Sequence, residues 1–284
     1  MVDKARALAA ERGSRRAAQA PWGHITRGTT ASQRMRRVDR WLLDVHAPLL
    51  RGTPAPLLVD LGFGAQPWTA VEMWQRVRQI APHAQLLGLE IDPQRVAHAR
   101  HVTGTTPDLD FQLGGFEVPA PRPPTVIRAF NVLRQYQEHD VTEIWRALCA
   151  RVAPDGVVIE GTCSEDGRRA AWVGLDARGP RTLTLAMRWG SFQRPSDVAE
   201  RLPKALIHRH VPGERIHALL ADADAAWAAH AGLSAYGYRQ RWLAMAAQLS
   251  EQGWPVQGRR RQWRRGELTV DWASVAPETD PSRA

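Results

Sequence analysis

The chain has 284 residues, 44% hydrophobic and 24% charged, which excludes a disordered or fibrous protein and allows one large core with appendages or two modest domains. Only two cysteines occur, Cys149 and Cys163, so a disulfide framework is not the organising force. The net charge is +9, and residues 1–56 carry +7 of it, eleven Lys and Arg against four Asp and Glu.

Residues 1–22 read as a poorly ordered basic arm without an apolar signal core. No apolar run approaches the roughly 20 residues of a membrane helix, and a cytoplasmic location is expected. Thr30 or Ser32 then caps a helix to about His46, whose Met35, Val38, Trp41, Leu42 and Val45 recur at helical spacing. Its other face carries Arg34, Arg36, Arg37 and Arg40. From Leu57 a strand–helix rhythm begins: a strand at 57–62, a helix over 69–80, a strand at 85–92, and a helix over 93–102 with Asp92 as N-cap and Pro93 in its first turn. Strands follow at 109–113, within 125–133 and at 157–162, with a helix over 139–152 between the last two. Such alternation predicts an α/β fold, a Rossmann-like, mainly parallel sheet with helices on both faces. Cys149, in the last of these helices, reads as a small buried hydrophobe.

Beyond residue 162 the rhythm breaks. Segments 170–175 and 181–189 predict a β-hairpin, 214–230 and 238–252 predict helices, and 267–272 a short strand. The expected divisions are a basic arm and helix (1–56), a Rossmann-like domain (57–189) and a mostly helical appendage (190–284) placed to cover a substrate. Most of the twelve tryptophans fall at core spacing.

The informative stretch is LLVDLGFGAQPW. A buried strand ends at Asp60, and Gly62-Phe63-Gly64 turns into a helix whose free amino terminus favours an anion. At the next strand tip stands GLEIDP, where Glu90 can accept from a ribose diol. A nicotinamide cofactor would use the same acid, so these residues point to an adenosyl ligand before its exact identity.

The run VDLGFGAQP, then GLEIDPQRVAHAR, then a fourth strand ending in FNVL resembles the class I S-adenosylmethionine-dependent methyltransferases over residues 57–162. The segments HITRGTTASQRMRRVDRW, RAFNVLRQY and EGTCSEDGRRAAWV resemble a group of actinobacterial methyltransferase-like proteins that carry no assigned substrate. The resemblance implies S-adenosyl-L-methionine as cofactor. It puts Gly62 and Gly64 under the methionine part, with Asp60 orienting that loop through the cofactor ammonium or a water. It implies Glu90 on the ribose, Ile91 over the adenine, Leu113 and Gly114 at the adenine amine, and Asn131 near the sulfonium. The sequence departs from the family pattern at Gln66-Pro67, where a third glycine is usual, and at Leu113-Gly114-Gly115, which lacks the usual acid. No N-P-P-Y-type signature of amino-group methylation follows the fourth strand, and residues 163–169 are too few for the usual helix.

Tyr136, His139, Glu160 and Glu165, with Asn131, are the candidates for a catalytic role at the strand tips. His208 and His210 lie two apart in a strand-like segment without further ligands, so no metal site is expected. The methyl acceptor is unidentified, with a small molecule favoured over RNA because no RNA-binding module is visible. Nucleic acid remains a candidate partner through Arg34, Arg36 and Arg37 and through Arg259, Arg260, Arg261, Arg264 and Arg265. The alternative is a catalytically silent nucleotide- or RNA-binding protein with a methyltransferase-like fold. A nicotinamide-dependent oxidoreductase fits Gly62-Phe63-Gly64-Ala65-Gln66-Pro67 poorly, because proline at the sixth position disturbs helix–strand packing.

Overall fold

The computed structural model describes residues 21–26, 28, 31–258 and 260–278. The arm over 1–20, the Thr30 cap and Arg259 lie outside the described residues.

Helix α1 (Arg36–Val45) starts later than its apolar spacing suggests. Ser32 does not cap it; its hydroxyl donates to Glu72 at 2.7 Å instead. A second short helix, α2 (Ala47–Gly52), follows with proline in its first turn. Then come β1 (Leu57–Leu61), α3 (Trp68–Arg78), β2 (Gln85–Glu90), α4 (Pro93–Thr103), β3 (Leu109–Leu113), β4 (Val126–Phe130), α5 (Asp140–Arg151) and β5 (Val157–Cys163). Asp92 caps α4 as the sequence suggests, accepting from the Gln94 amide at 2.8 Å. The hairpin is β6 (Arg169–Asp176) and β7 (Gly179–Met187). Beyond it lie a 3₁₀ turn (Pro195–Arg201), α6 (Lys204–Ile207), α7 (Arg215–Ala229), α8 (Tyr238–Glu251), β8 (Val256–Gln257), α9 (Arg260–Trp263) and β9 (Glu267–Asp271). The segment around His208 and His210, expected to be strand-like, is the end of α6 and the turn after it.

One nine-stranded sheet has the order β3-β2-β1-β4-β5-β6-β7-β9-β8. The first five strands pair in parallel and the remainder antiparallel. The fold of the parallel half is Rossmann-like, with the order reversing between β1 and β4. The described part of the appendage, up to residue 278, is mostly helical, yet β9 pairs with β7 and one apolar cluster runs from β1 to α8. The expected division at 189/190 therefore cuts across one sheet and one core.

Strand alternation sorts the side chains to two faces. Leu57, Val59, Leu61, Ile127, Ala129 and Val158 pack toward α5, α7 and α8. Leu58, Val126, Phe130 and Ile159 pack toward α1, α3 and α4. Leu58, Val59, Ile127 and Val158 are fully enclosed, and burial of such a side chain contributes about 1.5–3 kcal/mol. Trp172 of β6 is enclosed too, edge-on to Trp41 of α1 with ring centroids 5.4 Å apart. Among the described residues no helix is long and apolar enough to cross a membrane.

Candidate functional site

Open parallel sheets bind ligands beyond the carboxyl ends of their strands, where the order reverses. Here that place is the tips of β1, β2 and β4. After β1 the chain turns through Gly62 and Gly64, both at positive φ (69° and 84°). A Cβ on Gly62 would stand 2.7 Å from Val132 Cγ2, so glycine is required there for space as well as for backbone. The Gly62 amide donates to the Leu89 carbonyl at 2.7 Å, which ties the bend to the β2 tip. The buried Glu90 carboxylate accepts from the Gly64 amide at 3.0 Å and from the Ile91 amide at 2.9 Å. Arg95, one turn along α4, lies 3.5 Å from it. The glycine bend and the acid, 26 residues apart, are thus hydrogen-bonded neighbours.

Beneath the bend lies an ion network that the sequence did not advertise. In register with Asp60 on β4 is Arg128, and both side chains face α1 and α3. Arg128 is fully enclosed, and its Nε and Nη2 each donate to Asp60 at 2.8 Å. Its Nη1 reaches Asp39 of α1 at 2.5 Å, and Nη2 also donates to the Thr69 carbonyl at 2.8 Å. Arg76 of α3 closes the network on Asp39. Burial pushes the Arg128 pKa down, but Asp60 and Asp39 outweigh it and raise it. Burial raises the Asp39 pKa against the pull of both guanidiniums. Both Asp60 oxygens are engaged by Arg128, so Asp60 fixes the β1 tip to α1 and α3.

Residues 21–26 cross the strand tips as a strap. The Phe116 amide donates to the Trp22 carbonyl at 3.0 Å, and the His24 amide to the Tyr136 hydroxyl at 2.6 Å. Arg95 donates to the Thr26 carbonyl at 2.7 Å. The Trp22 carbonyl sits so close over Gly115 that a Cβ there would meet it at 2.0 Å. Two hollows remain. One, of about 50 Å³, is lined by the glycine bend, Thr26, Met35, Arg128 and Asn131. The other, of about 20 Å³, is lined by Trp22, Thr26, Glu90, Ile91, Gly114 and Tyr136. Small-molecule pockets span roughly 300–1,000 Å³, so the strap in this position keeps the cleft narrow.

The sequence candidates divide accordingly. Asp60, Gly62, Gly64, Glu90, Ile91, Gly114, Asn131 and Tyr136 line one hollow or the other. Leu113 lines neither and is 48% exposed. Asn131 has positive φ (59°), which asparagine tolerates. Its Oδ1 accepts from the Cys163 amide at 3.0 Å, so its side chain braces β4 against β5. His139 lies on the surface beside Asp140, 3.3 Å away, and Glu165 is exposed in the β5–β6 loop. Glu160 is enclosed on the opposite face of β5, toward α5, outside both hollows. Among the described residues neither of its oxygens accepts a hydrogen bond of good geometry, and burial, opposed only by the nearby Trp145 indole, pushes its pKa up to about 8. Among the described residues no cluster of His, Cys, Asp and Glu could hold a metal ion.

No family model matches the chain, and no curated protein matches it. Solved structures do align with part of it. Human N-acetylserotonin methyltransferase, in complex with SAM, is 18% identical over 47% of this chain and 39% of its own, with a TM-score of 0.31. The cyclopropane synthase MmaA2 from Mycobacterium tuberculosis is 19% identical over 47% of this chain and 48% of its own, with a TM-score of 0.33. The N-methyltransferase NodS from Bradyrhizobium japonicum is 16% identical over 45% of this chain and 67% of its own, with a TM-score of 0.32. The aligned part spans less than half the length of the first two proteins.

Trp22, His24, Thr26, Met35, Arg95 and Phe116 belong to the site region without having been singled out for it from sequence. Residues 21–26 carry no periodic signal, because a strap held largely by backbone hydrogen bonds needs none. Arg95 was hidden inside a helix, although it lies five residues past Glu90 and one turn into α4.

Proposed function

We propose that the protein is an S-adenosylmethionine-dependent methyltransferase whose adenosyl group lies across the tips of β1 and β2. The observation that carries this reading is the hydrogen bond between the Gly64 amide and the Glu90 carboxylate at the point where strand order reverses. The donor set fits the group. A carboxylate offers about four lone-pair sites. Glu90 gives two to the Gly64 and Ile91 amides at 3.0 and 2.9 Å, while the Asp92 amide and Arg95 stand off at 3.4 and 3.5 Å, the two long contacts that ribose hydroxyls would replace. Ile91, Gly114, Phe116 and Tyr136 form an apolar shelf next to it. The fit requires the strap to move, since the two hollows together are smaller than an adenosyl ligand needs.

In this reading Glu90 holds the ribose, with the Gly64 and Ile91 amides fixing the carboxylate's direction. Gly62 and Gly64 let the backbone run close beneath the methionine part. Asp60 acts through Arg128, holding the bend rigid, and not by touching the cofactor ammonium. Asn131 keeps the β4 tip beside β5, and Leu113, at the exposed end of β3, is left at the rim of the adenine side. Bound S-adenosylmethionine supplies an activated sulfonium methyl for in-line attack by an acceptor O, N, S or C atom. The chain's own part is alignment and exclusion of water, and alignment alone can lower a barrier by up to about 7–11 kcal/mol. None of Tyr136, His139, Glu160 or Glu165 is assigned as a base. The Tyr136 hydroxyl already accepts from His24, and the others lie outside the cleft.

Calorimetric titration tests the reading. S-adenosylmethionine and S-adenosylhomocysteine should bind in the micromolar range and NAD should not. The Glu90→Gln variant, which keeps the shape but not the charge, should lose most affinity. Parental affinity in that variant would remove the ribose assignment.

A further inference from the structure

The two arginine segments that stand more than 220 residues apart in sequence fold into one surface. The Arg37 guanidinium donates to the Arg265 carbonyl at 2.7 Å, and Asp44 of α1 pairs with Arg265 and with Arg261, the latter at 3.1 Å. Strand register sets where that surface lies. β7 ends at Met187, opposite Arg169 at the start of β6, and the Arg188 amide donates to the Arg168 carbonyl at 2.8 Å. The Met187 amide donates to the Gly266 carbonyl at 2.9 Å, just before β9 begins. Arg168, Arg188 and Arg265 therefore occupy the same sheet edge as the tips of β4 and β5, beside the cleft. Arg34 joins the two regions: it lines the larger hollow and donates to the Ser164 carbonyl at 3.1 Å.

Charge along this edge is not balanced internally. Arg36, Arg40, Arg188 and Arg264 are exposed, and among the described residues none of them pairs with an acid. Burial lowers the pKa of Arg37 and Arg40. Arg40 and Arg188 around Arg37, and Arg265 and Arg36 around Arg40, push the same way against the pull of Glu267 and, at Arg40, of Asp44, so like charges crowd one another. The acids within the cluster are Asp44, already committed to Arg261 and Arg265, and the buried Glu267. Like charges held together cost folding free energy unless an anion spreads across them. On α1 the exposed Arg36 and Arg40 stand one turn apart, about 6 Å along the axis, and Arg188 and Arg264, just past the end of β7 and before β9, extend the positive charge beyond the reach of a single phosphate. Trp68 opens α3 next to Thr69, which lines the larger of the two hollows with Arg34, and is 42% exposed. Spaced guanidiniums and an exposed aromatic near the same cleft are the components of a single-strand nucleic-acid groove.

We infer that single-stranded RNA binds along the edge from Arg34 through Arg188 to Arg264 and Arg265, presenting a nucleotide to the cleft. Its phosphates lie on the arginines, and an unstacked base reaches Trp68 and the strand tips, where single strands expose their edges as duplexes do not. That the bound nucleotide is the methyl acceptor rests on the proposed methyltransferase reading; the binding itself does not.

The test uses the full chain without cofactor, a fluorescent single-stranded RNA of mixed sequence, and fluorescence anisotropy at several salt concentrations. The parent should bind with a steep salt dependence. The combined variant Arg36→Ala, Arg40→Ala, Arg188→Ala and Arg264→Ala removes only arginines outside ion pairs. It should bind RNA at least about tenfold more weakly, its log–log salt slope reduced by roughly 0.7 for each phosphate left without its arginine. Its melting temperature should be no lower than the parent's and its S-adenosylhomocysteine affinity unchanged. A Trp68→Ala variant should lose affinity while keeping the slope. RNA affinity unchanged in the fourfold variant, no RNA binding at low salt, or tighter binding to duplex DNA or to anionic vesicles would each overturn the inference. Failure of S-adenosylmethionine to bind while RNA binds would instead sink the methyltransferase reading and leave the RNA surface standing.

Discussion

Arg128 stands in the otherwise apolar strand Val126–Phe130, enclosed, with each of its three guanidinium nitrogens donating. Removing one partner from such a buried pair costs about 3–5 kcal/mol in general, because the other charge is left without compensation. The opposite case is Glu160 of β5, enclosed with no cation paired to it among the described residues and only the Trp145 indole nearby. Its pKa of about 8 in the folded protein stands against an ordinary 4.5. The folded state therefore keeps a proton that the unfolded chain releases, and stability falls as pH rises from about 4.5 to about 8. Glu267, raised to about 7 by burial, contributes with the same sign. Glu160→Gln should raise the melting temperature at pH 8, flatten the decline between pH 5 and 8, and leave the value at pH 4 nearly unchanged. Each pKa unit removed corresponds to about 1.4 kcal/mol, so the gain is a few kcal/mol at most. Melting curves of parent and variant across that range check it; parallel curves would show that Glu160 is ionised in the folded state. In sequence, Arg128 and Glu160 both looked like single charges inside apolar runs. Their difference, one paired and one not, depends on α1 and α3 arriving from elsewhere in the chain.

The strap over 21–26 covers the glycine bend and the strand tips, and the proposed reading requires it to move for the cofactor to enter. The strap is held by hydrogen bonds at Trp22, His24 and Thr26 and by ring contacts of Trp22 with Phe116 and of His24 with Tyr136, with Trp22 and His24 still exposed, so its release is a local event. A site competent only when the strap is away binds its ligand in proportion to that population. Tyr136→Phe removes the acceptor of the His24 amide, a hydrogen bond worth about 0.5–1.5 kcal/mol. Association of S-adenosylhomocysteine, followed by stopped flow, should therefore accelerate about two- to tenfold; an unchanged rate would show that the strap does not gate entry. The parallel strands and their helices were legible because each buried strand is a short apolar run and each helix has one apolar face. Asp92-Pro93 marked the start of α4 by its own chemistry. The short β8, the turn of α6 and the strap were not legible, since their order comes from tertiary contacts and not from local pattern. The start of α1 was misplaced for a related reason: Ser32, a good cap in isolation, found Glu72 of α3 instead.

At the scale of the whole molecule, one sheet joins a parallel half that forms the cleft to an antiparallel half that carries the arginine edge. The sequence separated these into arm, domain and appendage, because chain order conceals that β9 returns to β7 and that Arg265 meets Arg37. Of the site, Gly62, Gly64 and Glu90 could be read from motif and spacing, and the structure makes the bend and the acid neighbours. The crystal structure of the complex with S-adenosylhomocysteine tests the central claim most directly. The account predicts both ribose hydroxyls within about 2.6–3.2 Å of the Glu90 carboxylate or its water, the adenine against Ile91 and Phe116, and residues 21–26 displaced from Gly115. A ligand bound away from the β1 and β2 tips, or an adenosyl group whose ribose turns from Glu90, would contradict it.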